Sequence, residues 1–356
     1  MLVSVVIPTR NRPDELARTL AALDRFTPEQ IGEVIVLDND SEVAPEVPPR
    51  LAGGQRVELI RLGANRGAAA RNIGAERSRG AWVLMLDDDS HLGAGDLGGT
   101  LARQPEDVAA VTMDIHLPAK GVRESGGLPE VPIGCGVAYR RDAFVRAGGY
   151  DASFGYYAEE YDLSAKLLLA GARVRFEPSL RVEHRKVEAG RDMGLILGRL
   201  VRNNGWVLRR YAPEGELGPR LEEMIGRYKE IARREGAARG FADGLAELER
   251  TIDGQRRMPM SPGLWDRFTG LSAAREAIGR AHEAMGFGSA RLIARGKHAW
   301  AVERALRERG VEAHEAGEVD VIGTLSPGPM LDALERDPGA IAPWEGMDAP
   351  RGSAAA

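Results

Sequence analysis

The chain carries a short apolar run that ends in three adjacent acids, Trp82-Val83-Leu84-Met85-Leu86-Asp87-Asp88-Asp89. A short apolar run bounded by polar residues is typical of a strand that is buried on both faces. Three neighbouring carboxylates repel one another, so a cation or basic groups should lie beside them. Asp87 and Asp89 can project to one side of an extended backbone, one towards a nucleotide and one towards a hard divalent ion. The alternative interpretation is a solvated acidic turn.

Similar apolar runs alternate with helix-like stretches through the first half of the chain. The predicted strands span residues 3–7, 34–37, 57–60 and 82–86, and the predicted helices span 13–25 and 68–79. Repeated strand-helix-strand units favour an α/β fold with a mostly parallel sheet flanked by helices. A ligand of such a sheet binds at the carboxyl ends of the strands, where the three acids lie.

The second half of the chain predicts a change of organisation. After Asp89, glycines and a loop-like stretch at 118–132 loosen the pattern, before helices at 141–147 and 159–170, a strand at 173–176 and amphipathic stretches over 191–250. From Ser289 a strand-helix-strand-helix pattern returns. We therefore expect a main domain at 1–212, a helical extension at 213–288, a small α/β accessory module at 289–338 and a disordered tail at 339–356.

Composition and charge exclude several classes of protein. The chain has 356 residues, of which 43% are hydrophobic and 28% charged, as in ordinary globular proteins. A net charge of −5 argues against a nucleic-acid partner. The single cysteine, Cys135, excludes an intramolecular disulfide framework and a cysteine-rich zinc site. Neither a signal peptide nor a transmembrane segment is predicted, so we expect a cytoplasmic protein whose membrane contact, if any, is peripheral and at the inner face.

Two further polar motifs follow predicted strands or open predicted helices. Asp38-Asn39-Asp40-Ser41 ends the second strand, and Asp38 can accept hydrogen bonds from a base or a ribose. An ordinary turn or helix cap is the alternative for this motif. In Asn65-Arg66-Gly67-Ala68-Ala69-Ala70-Arg71-Asn72, small residues allow close approach of a ligand and the arginines can bind phosphate. An ordinary helix start is the alternative there.

Together with Val5-Val6-Ile7-Pro8-Thr9-Arg10-Asn11-Arg12, and in the same order, these motifs resemble family 2 of the glycosyltransferases, which have the GT-A fold. The resemblance continues through three later motifs, Gly134-Cys135-Gly136-Val137-Ala138-Tyr139-Arg140-Arg141, Gly148-Gly149-Tyr150-Asp151 and Ala158-Glu159-Glu160-Tyr161-Asp162-Leu163-Ser164. It covers about the first 210 residues.

The resemblance implies a donor, a metal and a set of site residues. The donor would be a nucleotide-diphosphate sugar, such as a UDP-, GDP- or dTDP-sugar, and the acceptor a hydroxyl of a glycan or a lipid-linked molecule. Donor contacts would come from Pro8, Thr9, Asn11, Asp38, Arg71, Asp87 and Asp88. Asp89, with Asp87 and with His184 as in some relatives, would bind the metal. Oxygen-rich ligation favours Mg²⁺ or Mn²⁺.

The adjacent acids Glu159 and Glu160 resemble the Glu-Asp motif whose second member is the catalytic base in inverting relatives. Here a glutamate stands in the place of the aspartate, so the choice between Glu159 and Glu160 stays open. One carboxylate suffices, because a single base behind the anomeric carbon can deprotonate an acceptor hydroxyl for one inversion. The alternative is a pair of solvated acids in the first turn of a helix, which the helix dipole favours.

Two other functions remain open from the sequence. A sugar-phosphate nucleotidyltransferase also uses a nucleotide-binding α/β sheet, but Pro8-Thr9-Arg10-Asn11 lacks the Gly-rich basic loop that such enzymes carry after the first strand. A non-catalytic sugar-nucleotide-binding or scaffold protein is the other alternative, which the glutamate in place of aspartate leaves open. The carboxyl-terminal module is a candidate surface for homo-oligomer assembly.

Overall fold

A computed structural model describes residues 3–186 and 192–345. The strands are β1 (Val3–Thr9), β2 (Glu33–Asp38), β3 (Arg56–Arg61), β4 (Trp82–Met85), β5 (Ser90–Ala94), β6 (Val108–Leu117), β7 (Val122–Arg123), β8 (Val137–Arg140), β9 (Arg173–His184), β10 (Ser289–Ile293), β11 (Glu312–Ala313) and β12 (Val319–Ile322). The helices are α1 (Pro13–Leu23), α2 (Ala70–Arg77), α3 (Leu97–Ala102), α4 (Arg141–Arg146), α5 (Glu159–Leu169), α6 (Met193–Tyr211), α7 (Glu214–Glu235), α8 (Ala238–Thr251), α9 (Pro262–Thr269), α10 (Leu271–Met285), α11 (Ala299–Glu308) and α12 (Pro327–Arg336).

Within the described residues, nine strands form one sheet in the order β3-β2-β1-β4-β8-β6-β9-β5, with β7 paired to β6. The four strands from β3 to β4 are parallel, whereas β8 and β5 run antiparallel to their neighbours. Helices cover the sheet, and the expectation of an α/β fold is confirmed. The mixed second half of the sheet is a difference from the mostly parallel sheet that the sequence predicts.

The parallel half forms because three of its four strands are largely apolar. β1, β2 and β4 are buried at every position, as expected for strands covered by helices on both faces. Their register aligns Thr9 with Asp38 and Val6 with Met85. Three residues beyond the second pair, Thr9 reaches the level of Asp88, so this register brings the polar ends of three strands to one edge.

Helices α6, α7 and α8 follow β9 in the chain and form a helical layer, which contacts the rest of the fold through α6. The close crossing of α6 and α8 depends on small residues, since a methyl group added at Gly244 would lie 2.4 Å from the carbonyl oxygen of Gly198. At its end, α6 reaches back to α5 through hydrogen bonds from Arg210 and Tyr211 to Asp162. No helix in 3–186 or 192–345 is both long and apolar enough to cross a membrane.

The carboxyl-terminal strands form a second, parallel sheet in the order β11-β10-β12. Its apolar residues belong to the same buried cluster as residues of α5, α6, α9 and α10. The predicted module at 289–338 is therefore present as an α/β unit, but it shares its core with the helical layer. The division into separate domains stays a prediction.

The beginning of the expected disordered tail is ordered. Ile341 pairs with Val321 beside β12, and the Trp344 ring packs edge to face against Phe176 with 5.7 Å between ring centroids. Burial of these two apolar side chains holds residues 339–345 on the protein, which corrects the expectation for that stretch. The remainder of the tail, 346–356, lies outside the described residues.

Candidate active site at the carboxyl edge of the sheet

The end of β2 presents a buried carboxylate at the site edge. Asp38 is fully buried, and its Oδ1 accepts a hydrogen bond of 3.0 Å from the backbone N–H of Ser41. Its Oδ2 lies 3.5 Å from Nε of Arg61 but accepts no hydrogen bond from the described residues. A buried oxygen without a donor is costly unless a ligand supplies one. Asp38 therefore fits the sequence-based expectation of a hydrogen-bond acceptor for the donor nucleotide.

The segment after β1 is arranged by its own polar contacts. Pro8 lies within β1 opposite Leu37, where strand pairing fixes its position. Asn11 has a left-handed backbone with φ of 54°. Its N–H donates to Oγ of Ser41 at 2.9 Å, and its side-chain oxygen accepts from the N–H of Glu42 at 2.9 Å. Both residues thus lie at the site edge, with Asn11 joining the β1 and β2 loops.

The three aspartates after β4 face three different partners. Asp87 pairs with the buried guanidinium of Arg71, and its N–H donates to Oγ of Ser90 at 2.8 Å. Asp88 turns inward, where Oδ2 accepts from Oγ1 of Thr9 at 2.8 Å. Asp89 faces His184, with 3.3 Å between Oδ1 and Nε2. The repulsion expected from three adjacent acids is thus divided among separate partners.

Asp88 is almost fully enclosed, with 5% of the residue exposed. Burial raises its pKa to about 6, and the charges of Asp87 and Asp89 add to that effect, while Thr9 and Arg12 oppose it. Arg12 lies 3.4 Å from both Asp88 and Asp89. Asp88 therefore anchors the acidic loop internally, and Thr9, expected as a donor contact, is bonded to it.

The residues around Asp89 and His184 fit a divalent cation. Two neighbouring ligands of an octahedral ion, each at about 2.1 Å, lie about 3 Å apart, and Asp89 Oδ1 and His184 Nε2 are separated by 3.3 Å. Single ligand atoms of Asp87, Cys135 and His184 also lie within 4.8 Å of one another. Burial raises the pKa of the Cys135 thiol, and a neutral thiol is a poor ligand for Mg²⁺ or Mn²⁺.

Strand pairing brings Asp89 and His184 together. β5 and β9 are antiparallel with Ser90 opposite His184, so Asp89 lies beside the end of β9. The N–H of Arg185 donates to the carbonyl oxygen of Asp89 at 2.9 Å, which closes this end of the pair. The Arg185 guanidinium also donates to the carbonyl oxygen of Asp88 at 3.1 Å. The acidic loop is therefore held by backbone and side-chain contacts from the strand that carries the histidine.

The other nitrogen of the His184 ring faces a buried carboxylate. Nδ1 lies 3.2 Å from Oε2 of Glu124 and 3.6 Å from Sγ of Cys135. Oε1 of Glu124 accepts from Nζ of Lys186 at 2.6 Å. Burial disfavours a charge on either partner, yet these contacts lower the pKa of Glu124 to about 2, and Cys135, Asp89 and Glu124 raise the pKa of His184. A metal ion at Nε2 would displace the proton held there.

Glu159 and Glu160 open α5 at the same edge but differ in environment. Glu159 is 5% exposed, and its Oε2 accepts no hydrogen bond from the described residues. Burial and the charge of Glu160 raise the pKa of Glu159 well above its ordinary value. Glu160 is partly accessible, and its Oε1 accepts from the N–H of Gly134 at 3.1 Å. Burial also raises the pKa of Glu160, while the Gly134 N–H and Arg71 stabilise its charged form.

Two adjacent carboxyl groups in one buried site do not readily ionise together, and the proton stays on the less solvated one. Glu159 is the less solvated of the two here, so burial favours its neutral form more strongly, while Glu160 is the more accessible carboxyl.

Several site residues had no role in the sequence-based expectation. Arg12 and Cys135 lie in two of the motifs that carry the family resemblance, but the sequence predicted no role in the site for either residue. Glu124 lies in a stretch that reads as a loop, 60 positions from His184. Arg185 directly follows His184, and this position next to a predicted metal ligand was the signal that could have indicated its role.

Comparison with known proteins gives consistent matches. Residues 4–145 match the family described as Glycosyl transferase family 2. An uncharacterized glycosyltransferase of Haemophilus influenzae is 27% identical over 195 residues, which cover 47% of this chain and 62% of that protein. A pre-mycofactocin glycosyltransferase of Mycobacterium tuberculosis is 28% identical over 205 residues, covering 51% of this chain and 42% of that protein. The chain thus spans less than two thirds of these relatives' length.

A solved structure of similar fold extends the match to most of the chain. The crystal structure of S. aureus TarS 1-349 in complex with UDP-GlcNAc is 16% identical, covers 87% of this chain and 93% of that one, and has a TM-score of 0.51. At this identity the likeness concerns the fold alone.

Proposed function

We propose, because residues 4–145 match glycosyltransferase family 2, that the chain transfers a sugar from a nucleotide-diphosphate donor to an acceptor hydroxyl, with inversion at the anomeric carbon. The observation that carries the proposal is the pairing of Asp89 and His184, 3.3 Å apart, at the edge where Asp38 has a buried oxygen that accepts no hydrogen bond from the described residues. This arrangement supports a nucleotide site next to a cation site. The acceptor is a glycan or a lipid-linked molecule.

Each part of the site has a task in this reaction. Asp38 accepts a hydrogen bond from the base or the ribose, and Arg71, beside Asp87, lies where the diphosphate binds. Asp89 and His184 would hold Mg²⁺ or Mn²⁺, which offsets the negative charge that gathers on the departing nucleotide diphosphate. Thr9 and Arg12 hold the Asp88 side chain inward. These contacts fix the backbone of the acidic loop on either side of Asp88.

Glu160 is the base in this proposal. As the acceptor oxygen forms its bond to the anomeric carbon, Glu160 takes the hydroxyl proton, and the bond from that carbon to the phosphate oxygen breaks on the opposite face. The product is one inverted glycoside together with a nucleotide diphosphate. Glu159 stays protonated behind Glu160 and keeps a second negative charge away from the donor.

A ligand screen tests the proposed function. Nucleotide diphosphates and sugar nucleotides raise the unfolding temperature of a protein that binds them in its native state. We expect a shift with one base only, and a larger shift when Mn²⁺ is present. Release of nucleotide diphosphate from that sugar nucleotide then distinguishes an enzyme from a binding or scaffold protein. Absence of any shift across UDP-, GDP- and dTDP-sugars would contradict the proposal.

Donor binding should depend on the cation through Asp89. Replacing even an outer partner of a metal ligand costs about 10–100-fold in metal affinity, so Asp89→Asn should weaken Mn²⁺ binding at least about 10-fold. Calorimetry with Mn²⁺, and with the identified donor in the presence of a chelator, measures the two affinities. Asp107→Asn makes the same charge change at an exposed position and is the control. Undiminished donor affinity under chelation would show that the metal assignment is wrong.

Transfer should fall in acid at a higher pH than for an ordinary carboxylate base. Glu160 must be ionised to accept the proton, and burial raises its pKa. The rate should therefore rise with pH through this raised pKa. Rates at saturating donor and metal measure the profile, and the residual activity of Glu160→Gln should lack this acid limb. A wild-type rate that stays constant down to the ordinary carboxyl range would contradict the prediction.

A further inference from the structure

Glu124 lies directly behind the histidine of the proposed cation site. It is 8% exposed and directly follows the short strand β7, whose last residue is Arg123. We propose that Glu124 is a positioning residue that holds His184 with Nε2 towards Asp89, and that α12 of the carboxyl-terminal module holds Glu124 in place. The inference rests on the proposed function, because it assigns a role to residues around the proposed metal.

The two nitrogens of the His184 ring are used on opposite sides. Nε2 lies 3.3 Å from Oδ1 of Asp89, while Nδ1 lies 3.2 Å from Oε2 of Glu124. A histidine that binds a metal through one nitrogen commonly donates its other N–H to a carboxylate, which fixes the ring orientation and makes the ligating nitrogen more basic. Among the residues that the structure describes, Glu124 is the carboxylate that meets that requirement.

Glu124 is itself held by two neighbours on the site side. Nζ of Lys186 donates to Oε1 at 2.6 Å, and the N–H of Ser125 donates to the same oxygen at 3.1 Å. These contacts leave Oε2 directed at the histidine ring. Lys186 follows the end of β9 by two positions, so the segment that supplies the ligand His184 also supplies a cation for its carboxylate partner.

The carboxyl-terminal module fixes the backbone at Glu124. The Arg123 guanidinium donates to Oδ1 of Asp332 at 2.8 Å and to Oε1 of Glu335 at 2.6 Å, both on α12. The backbone N–H of Arg123 also donates to Oδ2 of Asp332 at 3.0 Å. A methyl group added at Gly328 would lie 2.4 Å from the carbonyl oxygen of Glu124. The first turn of α12 therefore lies against the residue that supports the histidine.

Metal affinity measured without any donor tests the role of Glu124. Titration of the full chain with Mn²⁺, followed by electron paramagnetic resonance of the free ion, gives the affinity directly. Loss of an outer-sphere carboxylate typically costs about 10–100-fold, so Glu124→Gln should bind Mn²⁺ about 10-fold more weakly and Glu124→Leu more weakly still. Gln retains an oxygen that can accept from Nδ1, which accounts for the order.

Glu130→Gln is the matched control for a general effect on the loop. Glu130 lies six positions further along and pairs with Arg267 at 2.6 Å, without a described contact to His184. It should keep wild-type Mn²⁺ affinity. Equal losses in Glu130→Gln and Glu124→Gln, or wild-type affinity in folded Glu124→Gln and Glu124→Leu, would overturn the role of Glu124. A wild-type chain that binds no Mn²⁺ would overturn the metal dependence of the proposed function as well, so the two failures are distinguishable.

Gly328→Ala tests the contribution of α12. The added methyl must displace the Glu124 backbone, so Mn²⁺ affinity should fall to a value between that of the wild type and that of Glu124→Leu. Gly226→Ala on α7 is the control, because nothing lies within 4 Å of a methyl group added there. Wild-type Mn²⁺ affinity in Gly328→Ala would overturn the part of the proposal that concerns α12.

Discussion

Glu160→Gln should remove most of the transfer activity while leaving donor and metal binding almost unchanged. General-base assistance is typically worth about 10²–10⁴-fold, and glutamine has the shape of glutamate without its basicity. The side-chain oxygen of glutamine can still accept the 3.1 Å hydrogen bond from the N–H of Gly134, so the loop around the site should stay in place. The expected loss is therefore one of kcat, with little change in the affinity for donor or Mn²⁺.

Glu159→Gln is the control for this loss, because it changes the neighbouring acid in the same helical turn. Glu159 is protonated in our assignment, and a neutral amide replaces a neutral acid there at little cost. Single-turnover transfer with the identified donor measures both variants. Near-normal transfer by Glu160→Gln with an inactive Glu159→Gln would move the base to Glu159. Full activity in both variants would exclude the start of α5 from the chemistry.

Three strands of the parallel half, β1, β2 and β4, could be predicted from sequence because they are largely apolar and buried at every position. β1 runs two residues past its predicted end, to Thr9, β2 is one residue longer at each end, and β4 ends one residue earlier than predicted, at Met85. Strands buried on both faces need uniform hydrophobic runs, and such runs are conspicuous in a sequence.

Beyond the strand predicted at 173–176, which is the start of β9, the mixed half of the sheet was not predicted, since its other strands lack that signal. β5 contains Gly93 and places His91 and Ala94 towards the surface, so its residues look like a loosened loop. β6 is buried along most of its length, but it contains two alanines, which favour strands weakly. Tertiary pairing with β9 determines both strands, and long-range pairing of this kind leaves little trace in local sequence.

The same difference separates the site residues that could be predicted from those that could not. The acids after β4 and Asp38 follow apolar strands, so the rule that parallel strands bind ligands at their carboxyl ends located them. The contact between Asp89 and His184 depends on the β5–β9 register, and only the family resemblance indicated it. Glu124 stands in a loop whose position depends on α12, more than 200 residues further along the chain.

Asp162→Ala should destabilise the protein strongly, because Asp162 joins α5 to the end of α6. It is fully buried, and its Oδ1 accepts from Arg210 at 2.7 Å and from the Tyr211 hydroxyl at 2.6 Å. Its Oδ2 lies 2.6 Å from Nζ of Lys166, one helical turn later. Removing one member of a buried ion pair typically costs about 3–5 kcal/mol, since the partner charges are left without compensation.

Asp142→Ala is a matched control, since Asp142 pairs with Arg146 at the same helical spacing but with both side chains mostly exposed. An exposed pair of this kind contributes only about 0.3–0.5 kcal/mol. Denaturant midpoints compared at constant slope measure both variants. Asp162 lies two residues after Glu160 on α5. Asp162→Ala should therefore lose activity at a lower denaturant concentration than its global unfolding midpoint. A cost for Asp162→Ala no larger than that for Asp142→Ala would show that the buried network does not hold α5 in place.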